Sequence, residues 1–300
     1  MAITAAMVKE LREMTGAGMM DCKKALNETN GDMEAAIDVL KKSGAAKMEK
    51  KASRIAAEGI ARVAMGDNVA VVVEVNSETD FVAKNELFQN FVQLVADNAL
   101  ASGLNGGKNG EDIEALLEMN GLKEELVQKT AIIGEKLSVR RFAKVSGECV
   151  ASYIHAGGKI GVIVAADGAT DVKEALTNVA MQIAAMNPLY LDQASVPADV
   201  IEHEKEILMA QIKEDPKMAS KPEKVIEGII SGKIKKYYKE NCLVEQEFVK
   251  NGDFTVASYV ESVAKELGAS IVPVKFIRYA KGEGLQKRED NFADEVASMM

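Results

Sequence analysis

The stretch Thr79-Asp80-Phe81-Val82-Ala83-Lys84-Asn85 gathers the residues best equipped to act on something outside the chain. It follows the apolar run Val69 to Val75 and precedes a helical pattern that begins near Glu86. A phenyl ring at a strand-to-helix corner, between an acid and a lysine, suits recognition rather than bond-making. An aromatic anchor fills a pocket at low entropy cost and dominates many interfaces. Two local readings stand. Either Asp80 caps the helix that follows and Phe81 packs beneath it in the core, or Phe81 enters a pocket on another molecule.

Covalent chemistry finds little to work with. The steps Gly107-Lys108, Gly158-Lys159 and Gly232-Lys233 lack the upstream glycine and the following Ser or Thr of a phosphate loop. Neither a GxGxxG fingerprint nor a GxSxG elbow is present. Of the two histidines, His203 lies in Glu202-His203-Glu204 on a polar helix face, as a solvated residue would, and His155 opens a hairpin turn. The pairs Glu74/Glu78 and Glu124/Glu125 read as solvated charges. Cys22, Cys149 and Cys242 are odd in number and far apart, without a CxxC, and are expected as reduced thiols. No catalytic residue, metal site or cofactor is expected, and the chain is not read as an enzyme. Met19-Met20 opens a second helix. Adjacent helical residues point about 100° apart, so the two cannot be equally buried, and one is expected outside as an adaptable contact.

The 300 residues include 37 Lys and Arg against 46 Asp and Glu, a formal net charge of −9. That balance argues mildly against nonspecific, phosphate-driven binding of nucleic acid and fits a soluble cytoplasmic factor with protein or small-molecule partners. Met1 to Glu10 carries no secretory signal pattern, and no apolar run approaches the ~18 residues of a membrane span.

The elements that would position these residues can be read from period and punctuation. Residues 1–54 give three short helices, with Thr4 and Asp32 as caps and a break at Thr15-Gly16-Ala17-Gly18. Val8, Leu11 and Met14 share a face of the first, Cys22, Ala25 and Leu26 of the second, and Ala36, Ile37 and Leu40 of the third. So small a core suits docking rather than catalysis. Lys47, Lys50, Lys51 and Arg54 mark a linker helix. An internal repeat follows, since residues 60–76 and 150–167 both read strand, glycine turn, strand. Each copy leads into a helix, Glu86 to Ala99 with Leu87, Phe88, Phe91 and Val95, then Val172 to Met186 with Leu176, Val179 and Ile183. The run Val71-Val72-Val73 predicts strands covered on both faces. A flexible loop at 103–110, a helix near Glu124 to Lys136 and a strand from Val139 to Ser146 lie between the copies.

Prolines 188, 197, 216 and 222 punctuate two amphipathic helices, Ala198 to Lys213 and Lys221 to Lys239, read as an antiparallel hairpin. Ile201, Ile207, Leu208 and Ile212 line the first, and Val225, Ile229 and Ile234 the second. Phe254 to Leu267 predicts one more helix, Ile271 to Tyr279 one more strand, and Phe292 to Met299 a terminal amphipathic helix. The fold class is α+β with antiparallel sheets. The divisions are a docking module over 1–54 and core subdomains over 55–146 and over 147–187 with 241–281. A helical insertion spans 188–240 and a C-terminal module 282–300.

Two long motifs resemble one family. Val8-Lys9-Glu10-Leu11-Arg12, followed by Thr15 to Leu26, and Asn76 to Asn85 are similar to the signatures of bacterial elongation factor Ts. Ile133-Gly134-Glu135, Arg140-Arg141, Tyr153-x-His155 and Gly282-Glu283-Gly284 extend the similarity over the whole chain. The resemblance implies a guanine-nucleotide exchange factor for elongation factor Tu in its GDP-bound and nucleotide-free forms. It implies a ubiquitin-associated-like module at the N-terminus and a protruding coiled coil. Thr79, Asp80, Phe81 and Val82, with Ile133 and Gly134, would press on the partner's nucleotide-binding domain and disturb the network around Mg²⁺ and the β-phosphate. Arg12, Met19 and Met20 would dock on a helix of that domain, and His155 would face another domain. The family's hairpin often reads His-Gly-x-x-x-Gly, whereas this chain has His155-Ala156-Gly157-Gly158-Lys159. Dimerisation through the coiled coil, or a 2:2 complex, stays open, and no nucleic-acid or membrane partner is implied. The alternative is a non-enzymatic scaffold built on the three-helix module. Copy two keeps Thr170-Asp171 but has Val172 where copy one has Phe81. The threonine–aspartate pair is therefore expected to serve the fold in both copies, and the ring to serve the partner.

Overall fold

The computed structural model describes residues 3–287. Its first unit is α1 (Ala5–Thr15), α2 (Met19–Glu28) and α3 (Met33–Lys51). Thr4 Oγ1 accepts from the Met7 amide at 3.3 Å and Asp32 Oδ1 from the Ala35 amide at 3.0 Å, so the expected caps satisfy donors left over at the helix starts. Val8, Leu11, Cys22, Ala25, Leu26 and Ala36 make a small core of their own. Met14 does not join them and is exposed. The basic stretch from Lys47 is no separate linker helix, because α3 runs through it to Lys51.

The repeat appears as two three-stranded antiparallel sheets. The first holds β1 (Glu58–Met65), β2 (Val69–Ser77) and β3 (Ser138–Ser146). Between β2 and β3 run α4 (Asp80–Ala83), α5 (Glu86–Ala101), α6 (Ile113–Leu117) and α7 (Leu122–Ile133). The second sheet begins with β4 (Cys149–His155) and β5 (Ile160–Asp167). The chain then forms α8 (Lys173–Met186), α9 (Ala198–Glu214), α10 (Pro216–Ala219), α11 (Glu223–Asn241) and α12 (Val256–Leu267) before β6 (Val272–Ala280) closes that sheet.

Strand periodicity sorts the core into layers. Val71, Val73 and Val75 of β2 face α5, meeting Phe88, Phe91, Val92 and Val95. Ala70 and Val72 point the other way, toward Val150, Ile163 and Ala165 of the second sheet. β5 is sandwiched likewise, with Val162 and Val164 against Leu176, Val179 and Ile183 of α8. The order is helices, sheet, sheet, helices, which is why both central strands are apolar without alternation. Small residues, Ala61, Ala70, Ala143 and Ala165, share the seam between the sheets with Val72, Val145, Val150 and Ile163. Gly161 sits there too, where an added Cβ would lie 3.0 Å from Val72 and 3.1 Å from Ala61.

Each sheet carries one bulge at the equivalent place, opposite Glu74/Val75 in the first and Ala165/Ala166 in the second. Glu74 pairs with Arg141 and Val75 with Val139, so Arg140 is the extra residue. A bulge resets the alternation of its strand, and two successive arginines of β3 thereby reach Glu74.

The excursion between α8 and α12 closes at its base. The amides of Leu189 and Tyr190 donate to Asn241 O at 2.9 and 3.1 Å, and that of Leu243 donates to Tyr190 O at 2.9 Å. α9 and α11 pack on one another with Ile212 and Ile234 buried, while Ile207 and Val225, expected in the seam, are exposed. Leu87, expected inward on α5, is also exposed. All three cysteines are buried and unpaired. Among the described residues no helix is long and apolar enough to cross a membrane, and no cluster of acids, histidines and cysteines suits a metal. The helix expected over Phe292 to Met299 lies outside the described residues.

Candidate functional site

At the end of β2 the chain turns through Glu78 and Thr79 into the single turn of α4. Thr79, in extended backbone, is the cap there, and its Oγ1 accepts from the Val82 amide at 3.4 Å. Asp80 is not a cap, contrary to one sequence reading. The long helix α5 is capped by Asn85, whose Oδ1 accepts from the Leu87 amide at 2.8 Å. Asp80 instead meets Lys84 Nζ at 2.9 Å, and that hydrogen bond holds its carboxyl below the ordinary range.

Four helical residues can turn only part of their surface inward. Val82 and Ala83 take those places, at 9% and 8% exposure, and Phe81 is left at 78%. The reading of Phe81 as core is overturned. Lys84 Nζ stands 5.9 Å from the ring centroid, within reach of a weak cation–π contact. The matching corner of copy two behaves differently. Val172 is buried at 3%, and no side-chain cap holds the start of α8. The threonine–aspartate pair therefore does not serve the fold alike in both copies.

The Phe81 corner is fastened to a second corner, where α7 ends and β3 begins. Gly134 adopts φ 84, the left-handed cap conformation that glycine accepts without strain, and its amide closes on Thr130 O at 3.1 Å. An added Cβ there would meet nothing, so backbone conformation rather than space calls for glycine. The next residue is the fastener. Glu135 Oε2 accepts the amides of Glu78 at 3.1 Å and Thr79 at 3.0 Å, and its Oε1 accepts the Thr79 hydroxyl at 2.6 Å. Glu78 reciprocates by accepting the Lys136 amide at 2.6 Å. Lys51 Nζ donates to Gly134 O at 2.8 Å, which ties in the end of α3. Thr79, Asp80, Phe81 and Val82 are thus brought beside Ile133 and Gly134.

Arg12, Met19, Met20 and His155 lie elsewhere. Met19 and Met20 are both exposed, at 56% and 76%, where only one was expected outside, and Arg12 is exposed on α1. Their unit leans on α7. Gln128 Nε2 donates to Thr15 O at 2.7 Å, Gly44 of α3 abuts Val127 and Ala131, and a cleft of ≈ 560 Å³ remains between α3, α7 and the α1–α2 break. Met14 lines that cleft, which accounts for its absence from the helical core. His155 is exposed at the end of β4, 3.3 Å by Nδ1 from the Tyr153 hydroxyl. Ala156, Gly157 and Gly158 all take positive φ in its turn, and Gly158 O accepts the Ala61 amide at 2.8 Å, which fixes the turn to the first sheet.

The sequence reading of Glu74 as a solvated acid is wrong. Glu74 is fully buried. It accepts from Arg141 Nε at 2.6 Å, Arg140 Nη1 at 3.0 Å, Asn76 Nδ2 at 3.1 Å and the Gly282 amide at 2.7 Å. Arg141 also stacks on Tyr279, 4.1 Å from its centroid, and meets Glu283 at 3.2 Å. Burial lowers the Arg278 pKa and raises that of Tyr279. Glu78 is likewise engaged rather than free, being bonded to Lys136 and to Arg54. Both acids hold the scaffold. Arg140-Arg141 and Gly282-Glu283-Gly284, distant in sequence, meet on one carboxylate.

The comparisons with known proteins agree on a family. The family model described as Elongation factor TS matches residues 78–283, the span that holds the Phe81 corner, the Glu135 fastener and the Arg140, Arg141 and Gly282 partners of Glu74. Elongation factor Ts of Clostridioides difficile is 52% identical, with 99% of each chain covered. Elongation factor Ts of a Nitratiruptor species is 50% identical, with 100% of each chain covered. Two corners locked together with an aromatic pointing outward, on a duplicated sheet scaffold, are therefore how this sequence builds a member of the elongation factor Ts family, to which the chain belongs.

Proposed function

We propose that the chain performs nucleotide exchange in translation elongation by pressing Asp80 and Phe81 into the nucleotide-binding domain of elongation factor Tu. The exchange role itself comes with the family. The role of the corner rests on one observation, a phenyl ring at 78% exposure on a backbone fastened by a carboxylate. Water is a poor solvent for such a ring, and a partner pocket removes it from water without reorganising the corner.

Release requires no bond to be made. A GTPase holds its nucleotide through backbone amides, a lysine and Mg²⁺. A factor that binds better when those contacts are broken weakens nucleotide binding by the same free energy with which nucleotide weakens the factor. Phe81 would be the wedge, with Thr79, Val82, Ile133 and Gly134 as its immediate surround. Arg12, Met19 and Met20 would supply affinity from residues 1–54, read as a ubiquitin-associated-like docking module, and two neighbouring exposed methionines make an adaptable surface. His155 would touch a second domain of the partner. The α9–α11 pair is the proposed coiled coil.

The test is stopped-flow release of labelled GDP from elongation factor Tu. Phe81→Ala is expected to cost about 2 kcal/mol or more of coupling, the scale of an interface hot spot. An unchanged release rate would remove Phe81 from this role.

A further inference from the structure

The ring of Phe81 has almost no packing of its own, so its direction is set by the backbone on which it stands. That backbone has just left the sheet. β2 ends at Ser77, and the amides of Glu78 and Thr79 have passed beyond the last rung of the ladder. Left to water, they would let the corner swing. One side chain takes both of them and the Thr79 hydroxyl as well, from a position 56 residues downstream of Thr79. Charged acceptors make the stronger hydrogen bonds, and three converge here on a single carboxylate.

We propose that Glu135 is a positioning residue for exchange, holding the Glu78–Phe81 corner in the conformation that presents the ring. The proposal rests on Phe81 being the wedge. Glu135 is itself delivered by the left-handed turn at Gly134, at the end of the helix on which the N-terminal unit leans. The direction of the ring is thereby referred to α7 and not to the ring's own neighbours. Docking through α1 and α2 and insertion of Phe81 then share one rigid support, so that a partner engaged by the first meets the second already aimed.

The test is a cycle on the full chain with Glu135→Ala, Glu135→Gln, Phe81→Ala and the Glu135→Ala/Phe81→Ala double variant. Each is titrated against GDP-loaded elongation factor Tu to separate the maximal release rate from the half-saturating concentration. Glu135→Ala is expected to lower the maximal rate about 10- to 100-fold, the scale of a misplaced reacting geometry, with half-saturation little changed. Glu135→Gln keeps an oxygen for the two amides and should recover most of the rate. In the Phe81→Ala background the Glu135→Ala change should have almost no further effect, since both act through one ring. An unchanged maximal rate in Glu135→Ala, or losses that add in the double variant, would overturn the proposal. If Glu135→Ala shows no cooperative melting, Thr79→Val, which deletes the 2.6 Å bond to Glu135 together with the 3.4 Å cap on the Val82 amide and leaves both amide bonds to Glu135, replaces it in the same cycle and must show the same non-additivity. An unaltered rate in Phe81→Ala alone would instead overturn the wedge, a separate result.

Discussion

At the scale of residues, Glu74 and Phe81 reverse what their types suggest, one an acid without water and the other a ring without cover. Glu74 is tolerable inside because four donors surround it, two of them guanidiniums. Removing one member of such a buried group leaves the others charged and unpaired. Glu74→Ala is expected to cost about 3–5 kcal/mol of unfolding free energy in urea titration. A loss below about 1 kcal/mol would class the cluster with ordinary surface pairs. None of this was legible in Val71-Val72-Val73-Glu74-Val75. The partners of Glu74 lie between 2 and 208 positions away, and no local pattern announces the bulge that brings Arg140 alongside Arg141. Phe81 was legible only as a choice. Its exposure is decided by Val82 and Ala83 filling the inward side of a single turn, and four residues carry no period.

At the scale of elements, the sequence was more forthcoming. Thr4 and Asp32 cap as their types predict, and both hairpins fall at their glycine turns. α8 follows its apolar stripe, and α5 does so apart from Leu87. The stripes failed where a residue faces a different neighbour from the one assumed. Met14 faces the cleft against α7 instead of its own helical core, and Ile207, Leu87 and Val225 face solvent. The contact of α3 on α7 shows how tightly one element can constrain another. An added Cβ at Gly44 would lie 3.2 Å from Val127, so Gly44→Leu must push that side chain aside. Overpacking there is expected to cost about 1–3 kcal/mol and to tilt the N-terminal unit away from α7. In the exchange assay this should raise the half-saturating concentration of the factor more than it lowers the maximal rate. A variant with unaltered half-saturation would show that the seating of α3 on α7 is irrelevant to docking.

At the scale of the whole molecule, two copies of one sheet face each other across a seam where alanines interleave with valines and an isoleucine. Its tightness makes the halves mutually dependent. Gly161→Val would drive a branched side chain into Val72 and Ala61, and about 1–3 kcal/mol of destabilisation is expected. Probes placed on either sheet should still report one shared melting transition, and two separate transitions would mean that the halves fold independently. The copies were legible as a repeat because hairpin turns and strand periods recur along the chain. Their division of labour was not, since Ala165 occupies in the second copy the place that Glu74 holds in the first, and Val172 that of Phe81. The Gly282 amide that completes the shell of Glu74 also sets an order of events in the cell. Chains emerge from the ribosome from the N-terminus and fold as they appear, yet Gly282 lies 208 positions beyond the acid it serves. The first sheet can assemble early around an acid that lacks its last donor, and that donor arrives only after the whole second sheet has been made. A nascent chain stalled before β6 would therefore hold Glu74 one donor short, and the scaffold of this factor would be completed only late in its own synthesis.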